Sequence, residues 1–123
     1  MKIILSNHSE KPIYLQIKEQ LEEQILNGEI PEDTVLPSIR KMAAELSVSV
    51  ITTTRAYKEL EEDGFITTVP GKGCIVLPPD NQILRERYLQ RMEEGFMQAA
   101  GAAKKLQMPL AEAQEIFKTI WEV

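Results

Sequence analysis

The sequence holds one cysteine, Cys74, and one histidine, His8. A lone thiol excludes an internal disulfide and any multi-cysteine zinc site. His8 sits in the N-terminal arm without partners in sequence, so neither a metal site nor general-base chemistry is expected around it. There is no glycine-rich loop to cradle a phosphate and no cluster of metal ligands, so no enzyme activity, cofactor or metal is expected. No apolar run is long enough for a membrane span. The apolar start, residues 1–5, is too short for a secretory signal before the polar Ser6, Asn7 and His8. We therefore expect a cytoplasmic protein without a membrane partner. Internal repeats and low-complexity tracts are missing. So is any excess of positive charge: the net charge is −5, which taken alone argues against nucleic-acid binding, because such domains are usually basic.

What is present points to a globular chain. The hydrophobic share is 43%, within the globular range, and 123 residues suffice for one ordinary domain or a small domain with an appendage. Residues 1–11 read as an arm. Pro12 suits the first position of a helix, since it needs no amide donor there. Ile13, Ile17, Leu21 and Ile25 then recur every four residues as one stripe. Lys18, Glu19, Glu22 and Glu23 are expected on the opposite, solvated face, and Gly28 stops the helix. Residues 29–37 form a connector in which Thr34, Val35 and Leu36 suit a brief strand.

Ser38 is a natural N-cap for a second helix over residues 39–46, with Ile39, Met42, Ala43 and Leu46 available to a core. Ser47 and Val48 make a turn. Ser49 caps a third helix that runs to about Asp63, with Ala56, Tyr57 and Leu60 inward beside either Val50 or Thr53. Gly64 ends it. Phe65–Thr68 and Cys74–Leu77 read as paired strands around the loop Val69–Gly73. Helix, tight turn, helix and hairpin in this order read as a winged helix-turn-helix, a shape that places its second helix in the major groove of DNA. Charge distribution supports this more than net charge does. Residues 34–58 carry Arg40, Lys41, Arg55 and Lys58 against Glu45, a local balance of +3, between acidic flanks. Such a focused face relies on specific contacts rather than general attraction.

Pro78 and Pro79 mark a boundary, giving a DNA-binding domain over residues 1–78 and a helical region over residues 79–123. In the second part Ile83 or Leu84, then Tyr88, Met92, Phe96, Ala99, Ala103 and Leu106 recur at spacings of three and four. Met108 and Pro109 break the helix. A last helix carries Ile116 or Phe117, then Ile120 and Trp121. Two amphipathic helices cannot enclose a core of their own. An exposed stripe of this kind marks an interface, and a two-fold dimer packed as a helical bundle is the simplest solution. The stripe Leu84, Tyr88, Met92, Phe96, Ala99, Ala103, Ile116, Ile120 and Trp121 is the expected dimer interface. The alternative is a tail folded back on its own first domain.

Several of these pieces resemble the GntR family of bacterial transcription regulators. The matching stretches are Pro12–Ile17, Leu36–Arg40, Arg55–Leu60, Gly64, and Gly71–Gly73 ahead of Ile75 and Val76. The short two-helix tail looks like the YtrA subfamily. The resemblance implies a mainly α fold with a small β-hairpin (α+β), a winged helix-turn-helix followed by a dimerisation tail. It also implies a homodimeric repressor of an inverted-repeat operator in double-stranded DNA, often of a transporter operon. Any small-molecule effector would have no dedicated domain. The competing expectation is a winged-helix adaptor that binds protein and not DNA.

The expected DNA contacts follow. The family's arginine at the position of Arg40 reaches DNA, and an arginine at a helix N-terminus suits phosphate or guanine. Ser38 could meet a phosphate or simply cap, or do both. Ser49, Thr52 and Thr54 offer hydroxyls at the start of the third helix. Arg55 could reach the backbone or pair with Glu59 one turn on. Val50 departs from the family, which often has arginine there; valine could touch a thymine methyl or point into the core. Gly71, Lys72 and Gly73 form the wing tip, where the glycines allow close approach and Lys72 could meet a phosphate or the minor groove. Cys74 is expected as a half-buried structural thiol.

Overall fold

The computed structural model describes residues 1–123. The chain divides into two compact units, Met1–Asp80 and Asn81–Val123. The first contains α1 (Ile13–Leu26), α2 (Ile39–Leu46), α3 (Val50–Glu62), β1 (Ile66–Val69) and β2 (Gly73–Val76); the second contains α4 (Asn81–Lys105) and α5 (Leu110–Trp121).

In the first unit, the core is built where α1, α2 and α3 meet. Ile17, Leu21 and Ile25 from α1, Met42 from α2, and Ala56, Tyr57 and Leu60 from α3 are buried. Each large aliphatic side chain fully withdrawn here stabilises the fold by about 1.5–3 kcal/mol. Pro12 sits one position earlier than expected. It is the N-cap of α1, with extended ψ, and its carbonyl accepts from the amides of Leu15 and Gln16 at 3.1 Å each.

The solvated face expected on α1 is corrected by the structure. Glu22 is only 1% exposed. The reason is that α1 is covered on two sides, so the buried band is wider than one stripe and takes in Gln16, Glu22 and Gln24. Lys18 compensates the buried carboxylate. Its Nζ lies 3.7 Å from Glu22 on its own helix, and 3.3 Å from Glu59 and 2.9 Å from Asp63 at the end of α3. Burial works against the Lys18 charge, but hydrogen bonding to Asp63 and Glu59 and the charge of Glu22 outweigh it and raise its pKa above the usual lysine value.

The second cover is the arm. Gln24 donates to the carbonyl of Lys2 at 2.7 Å; Gln20 donates to that of Ile4 at 2.7 Å and accepts from the Ile4 amide at 2.8 Å. Gln16 repeats the two-way pairing with Ser6 at 2.9 Å. The geometry explains the register. Four helical residues rise about 6 Å, and two extended residues advance about 6.6 Å. Glutamines four apart therefore meet alternate residues of an antiparallel arm, and each primary amide mimics a strand's paired donor and acceptor.

Caps set the helix-turn-helix. Ser38 Oγ accepts from the amide of Lys41 at 3.1 Å, and α2 ends at Ser47 in the left-handed region, φ 56°. Ser49 Oγ accepts from the amide of Thr52 at 3.0 Å and opens α3. Each serine cap contributes about 1 kcal/mol. The hairpin is antiparallel, with Ile66 opposite Val76 and Val69 opposite Gly73, so both strands lie about one residue beyond their expected bounds at the turn. The connector forms no strand of its own over Thr34–Leu36; it contributes a single isolated bridge, Val35 to Ile75, beside the two-stranded sheet.

In the second unit, α4 and α5 are joined at Gln107, which takes φ 55°. The Met108 amide closes the turn on the carbonyl of Ala103 at 2.9 Å. Phe96 and Phe117 meet edge-on, 5.6 Å between ring centres, and Phe117 lies 5.8 Å from Trp121. Of the two positions open in the sequence, Phe117 thus faces the other helix. No residue of α4 or α5 is buried, and no helix of the chain is long and apolar enough to cross a membrane.

Candidate nucleic-acid interface

The turn between α2 and α3 turns the first residues of α3 away from the core. Thr53 is fully buried, which takes the inward position left open between it and Val50. Val50 is 43% exposed and Ile51 83% exposed. Ile51 was not among the residues singled out from sequence. The signal was available: Ile51 lies five, six and nine residues before Ala56, Tyr57 and Leu60, spacings that put it off their inward stripe.

The hydroxyls of this end are partly committed. Ser49 donates to Thr52 Oγ1 at 2.8 Å while capping the helix. Thr54 donates to the carbonyl of Val50 at 2.7 Å, leaving only acceptor lone pairs for an outside group. Thr52 keeps its own hydroxyl proton. Ser38 accepts a capping bond and likewise keeps its proton free to donate. Arg55 pairs with Glu59, Nε to Oε2 at 3.1 Å, so the pairing expected as one alternative is present.

Unpaired positive charge lies on the elements before and after α3. Arg40 lies in the first turn of α2 and Lys72 at the wing tip, and both are exposed. Neither they nor Lys41 and Lys58 are held by any carboxylate of the chain. The wing tip is a tight turn. The Lys72 amide donates to the carbonyl of Val69 at 3.0 Å, and Gly71 has φ 80° behind Pro70. That is a type II turn, which demands a residue tolerant of positive φ at its third position. Gly73, φ 100°, follows at the strand start, and a side chain there would make only ordinary contact with Val35. The constraint at Gly73 is therefore backbone conformation and not space. Cys74 is half-buried with its Sγ 3.8 Å from Thr68 Oγ1.

Two clefts join these residues to their neighbours. Ser49 and Thr52 share one with Leu5 and Asn7 of the arm. Ile51, Thr54, Arg55 and Lys58 line another along the outer face of α3. Glu59, Glu62 and Asp63 line that same groove toward the end of α3, where Glu59 and Asp63 also meet Lys18. The Glu59 carboxyl is held below the usual range by Arg55 and Lys18, which overcome the opposing effect of desolvation.

A capped helix with an open N-terminal face, preceded by the helix that carries Arg40 and followed by a hairpin with a glycine-flanked lysine, is the arrangement of a winged helix-turn-helix. The family model described as "Bacterial regulatory proteins, gntR family" matches residues 13–76. This chain belongs to the GntR family. Among GntR relatives, it is 31% identical over 118 residues to the HTH-type transcriptional repressor YtrA of Bacillus subtilis, covering 96% of this chain and 91% of that protein. It is 32% identical over 116 residues to the transcriptional regulator YhcF of the same organism, covering 93% of each. A GntR family transcriptional regulator from Listeria monocytogenes superposes with a TM-score of 0.70 at 29% identity, over 97% of this chain and 99% of that one. AraR(DBD), solved in complex with operator ORR3, superposes with a TM-score of 0.52 at 27% identity, over 63% of this chain and 93% of that one. The GntR chain described here is accordingly a DNA-binding transcriptional regulator and not an enzyme, and its two-helix tail places it with the YtrA-type members.

Proposed function

We propose that this chain is a cytoplasmic, homodimeric repressor that places α3 of each protomer in the major groove of an inverted-repeat operator. The observation that carries the reading is the placement of charge. In a protein of net charge −5, Arg40 and Lys72 stand exposed and without a carboxylate partner on the helix before α3 and on the wing after it. Arg40, Ser38 and the α3 face, Ser49, Val50, Thr52, Thr54 and Arg55, form the major-groove side; Gly71, Lys72 and Gly73 form the wing contact. YtrA and other relatives named as repressors support the sign of regulation.

The second protomer is supported by the tail. No residue of α4 or α5 is buried in a single chain, and Trp121 is 76% exposed. Apolar surface of this extent is stabilised by a partner. Leu84, Tyr88, Met92, Phe96, Ala99 and Ala103 from α4, with Ile116, Ile120 and Trp121 from α5, are the residues for that role. A two-fold dimer requires half-sites about one helical turn, or a multiple, apart. Selection of bound fragments from genomic DNA tests the reading. An inverted repeat upstream of an operon whose expression rises on deletion of the gene supports it. Recovery of no enriched sequence at low salt contradicts it and points to a protein-binding adaptor.

A further inference from the structure

Arg55 is held from two sides, and the two restraints come from different helices. Its guanidinium carbon lies 3.8 Å from the centre of the Tyr14 ring, on the first turn of α1. Its Nε donates to Glu59 Oε2 at 3.1 Å, one turn along α3. Glu59 in turn gives its other oxygen, Oε1, to Lys18 at 3.3 Å. A guanidinium has five N–H donors. Only the one on Nε has a partner in the chain, while the side chain remains 60% exposed. The arrangement therefore immobilises the plane of the guanidinium and leaves the terminal nitrogens facing out.

An ordinary surface ion pair between residues four apart needs no aromatic ring from another helix. The Tyr14 ring adds a flat wall that fixes the tilt of the guanidinium, and Glu59, itself held by Lys18, anchors its Nε. Arg55 also shares its groove with Ile51, which is 83% exposed, and with Glu59, Glu62 and Asp63. We infer that Tyr14 is a positioning residue for DNA binding: it stacks on Arg55 and presents the free edge of its guanidinium to a backbone phosphate beside the recognition helix. This inference rests on the function proposed above. The benefit is entropic, because a long side chain already ordered in the free protein loses less freedom on binding.

A double-mutant cycle on the selected operator tests it. Tyr14→Ala is expected to weaken binding about threefold to tenfold, and Tyr14→Phe, which keeps the ring, to bind like the parent. Arg55→Met is expected to flatten the salt dependence by about 0.9 in log K against log salt, the contribution of one phosphate. Adding Tyr14→Ala to Arg55→Met should cost nothing further. Should Tyr14→Ala fail to fold, as judged by circular dichroism, Tyr14→Leu replaces it, keeping bulk without a π face. The inference is overturned if Tyr14→Ala costs the same in both backgrounds, if the phenylalanine variant loses affinity, or if Arg55→Met leaves the salt slope unchanged. In those cases selective binding by the parent would leave the proposed function standing. A parent that binds no genomic sequence overturns both.

Discussion

The hydroxyl of Tyr57 donates a 2.7 Å hydrogen bond to the backbone carbonyl of Pro37. Tyr57 lies in the middle of α3, and Pro37 immediately precedes the N-cap of α2. One side chain thus latches the start of the helix bearing Arg40 onto the recognition helix. Burial above all, with the nearby Cys74 and Glu45, pushes the phenol pKa well above its ordinary value.

Tyr57→Phe should destabilise the fold by about 1–2 kcal/mol, since it leaves a half-buried carbonyl without its donor. Urea unfolding near neutral pH measures this. The pH dependence has a definite sign. The folded protein keeps the phenolic proton at a pH where the unfolded chain has released it. The contribution is therefore complete below about pH 10 and is lost as pH rises above that value. Lys18, also raised, acts in the same direction. The alkaline loss of stability should be shallower in Tyr57→Phe than in the parent.

Lys18→Met should cost about 3 kcal/mol, because it removes the compensating charge beside the buried Glu22. Combining it with Glu22→Leu, which replaces the buried carboxylate by an apolar group, should restore more than half of that loss. A double variant no more stable than the single one would show that the Lys18 contacts to Glu59 and Asp63 dominate instead.

The glutamine ladder predicts an alternation along the arm. Amides of Ile4 and Ser6, which donate to Gln20 and Gln16, should exchange with solvent more slowly than those of Ile3 and Leu5. In Gln20→Ala the protection at Ile4 should vanish. Uniformly fast exchange across residues 3–6 in the parent would show that the ladder does not persist in solution.

Val50→Arg should change the base preferred at one position of each half-site. The parent valine is 43% exposed and can offer only methyl contacts, as to thymine, whereas arginine reads guanine through two hydrogen bonds. Selection from a randomised operator library measures the change, and identical preferences for the two proteins would sink the idea.

Most of this architecture was legible in local chemistry. Ser38, Ser49 and Gly64 mark their helix ends because each acts through hydrogen bonds or dihedral angles of its own neighbours. Pro70 and Gly71 announce the wing turn for the same reason. What escaped depends on partners far along the chain. Glu22 reads as a surface residue until the arm and α3 cover α1 from two sides. Tyr14 and Arg55 are 41 positions apart, and nothing in either neighbourhood signals that a ring and a guanidinium will stack. The direction of Val50 was undecidable from periodicity, because positions at the first turn of a helix lie beyond the stripe that fixes its phase.

The claim that α3 and the wing form a DNA-reading surface is tested most directly by titrating the selected operator across a range of salt concentrations with the parent and Lys72→Ala. The Lys72 side chain is exposed and makes no hydrogen bond or ion pair in the fold, so its removal should leave thermal stability unchanged. It should weaken binding to all sequences alike and reduce the slope of log K against log salt by about 0.9. An unchanged slope with unchanged affinity would contradict the wing contact. Parent binding that shows neither salt dependence nor sequence preference would contradict the whole reading.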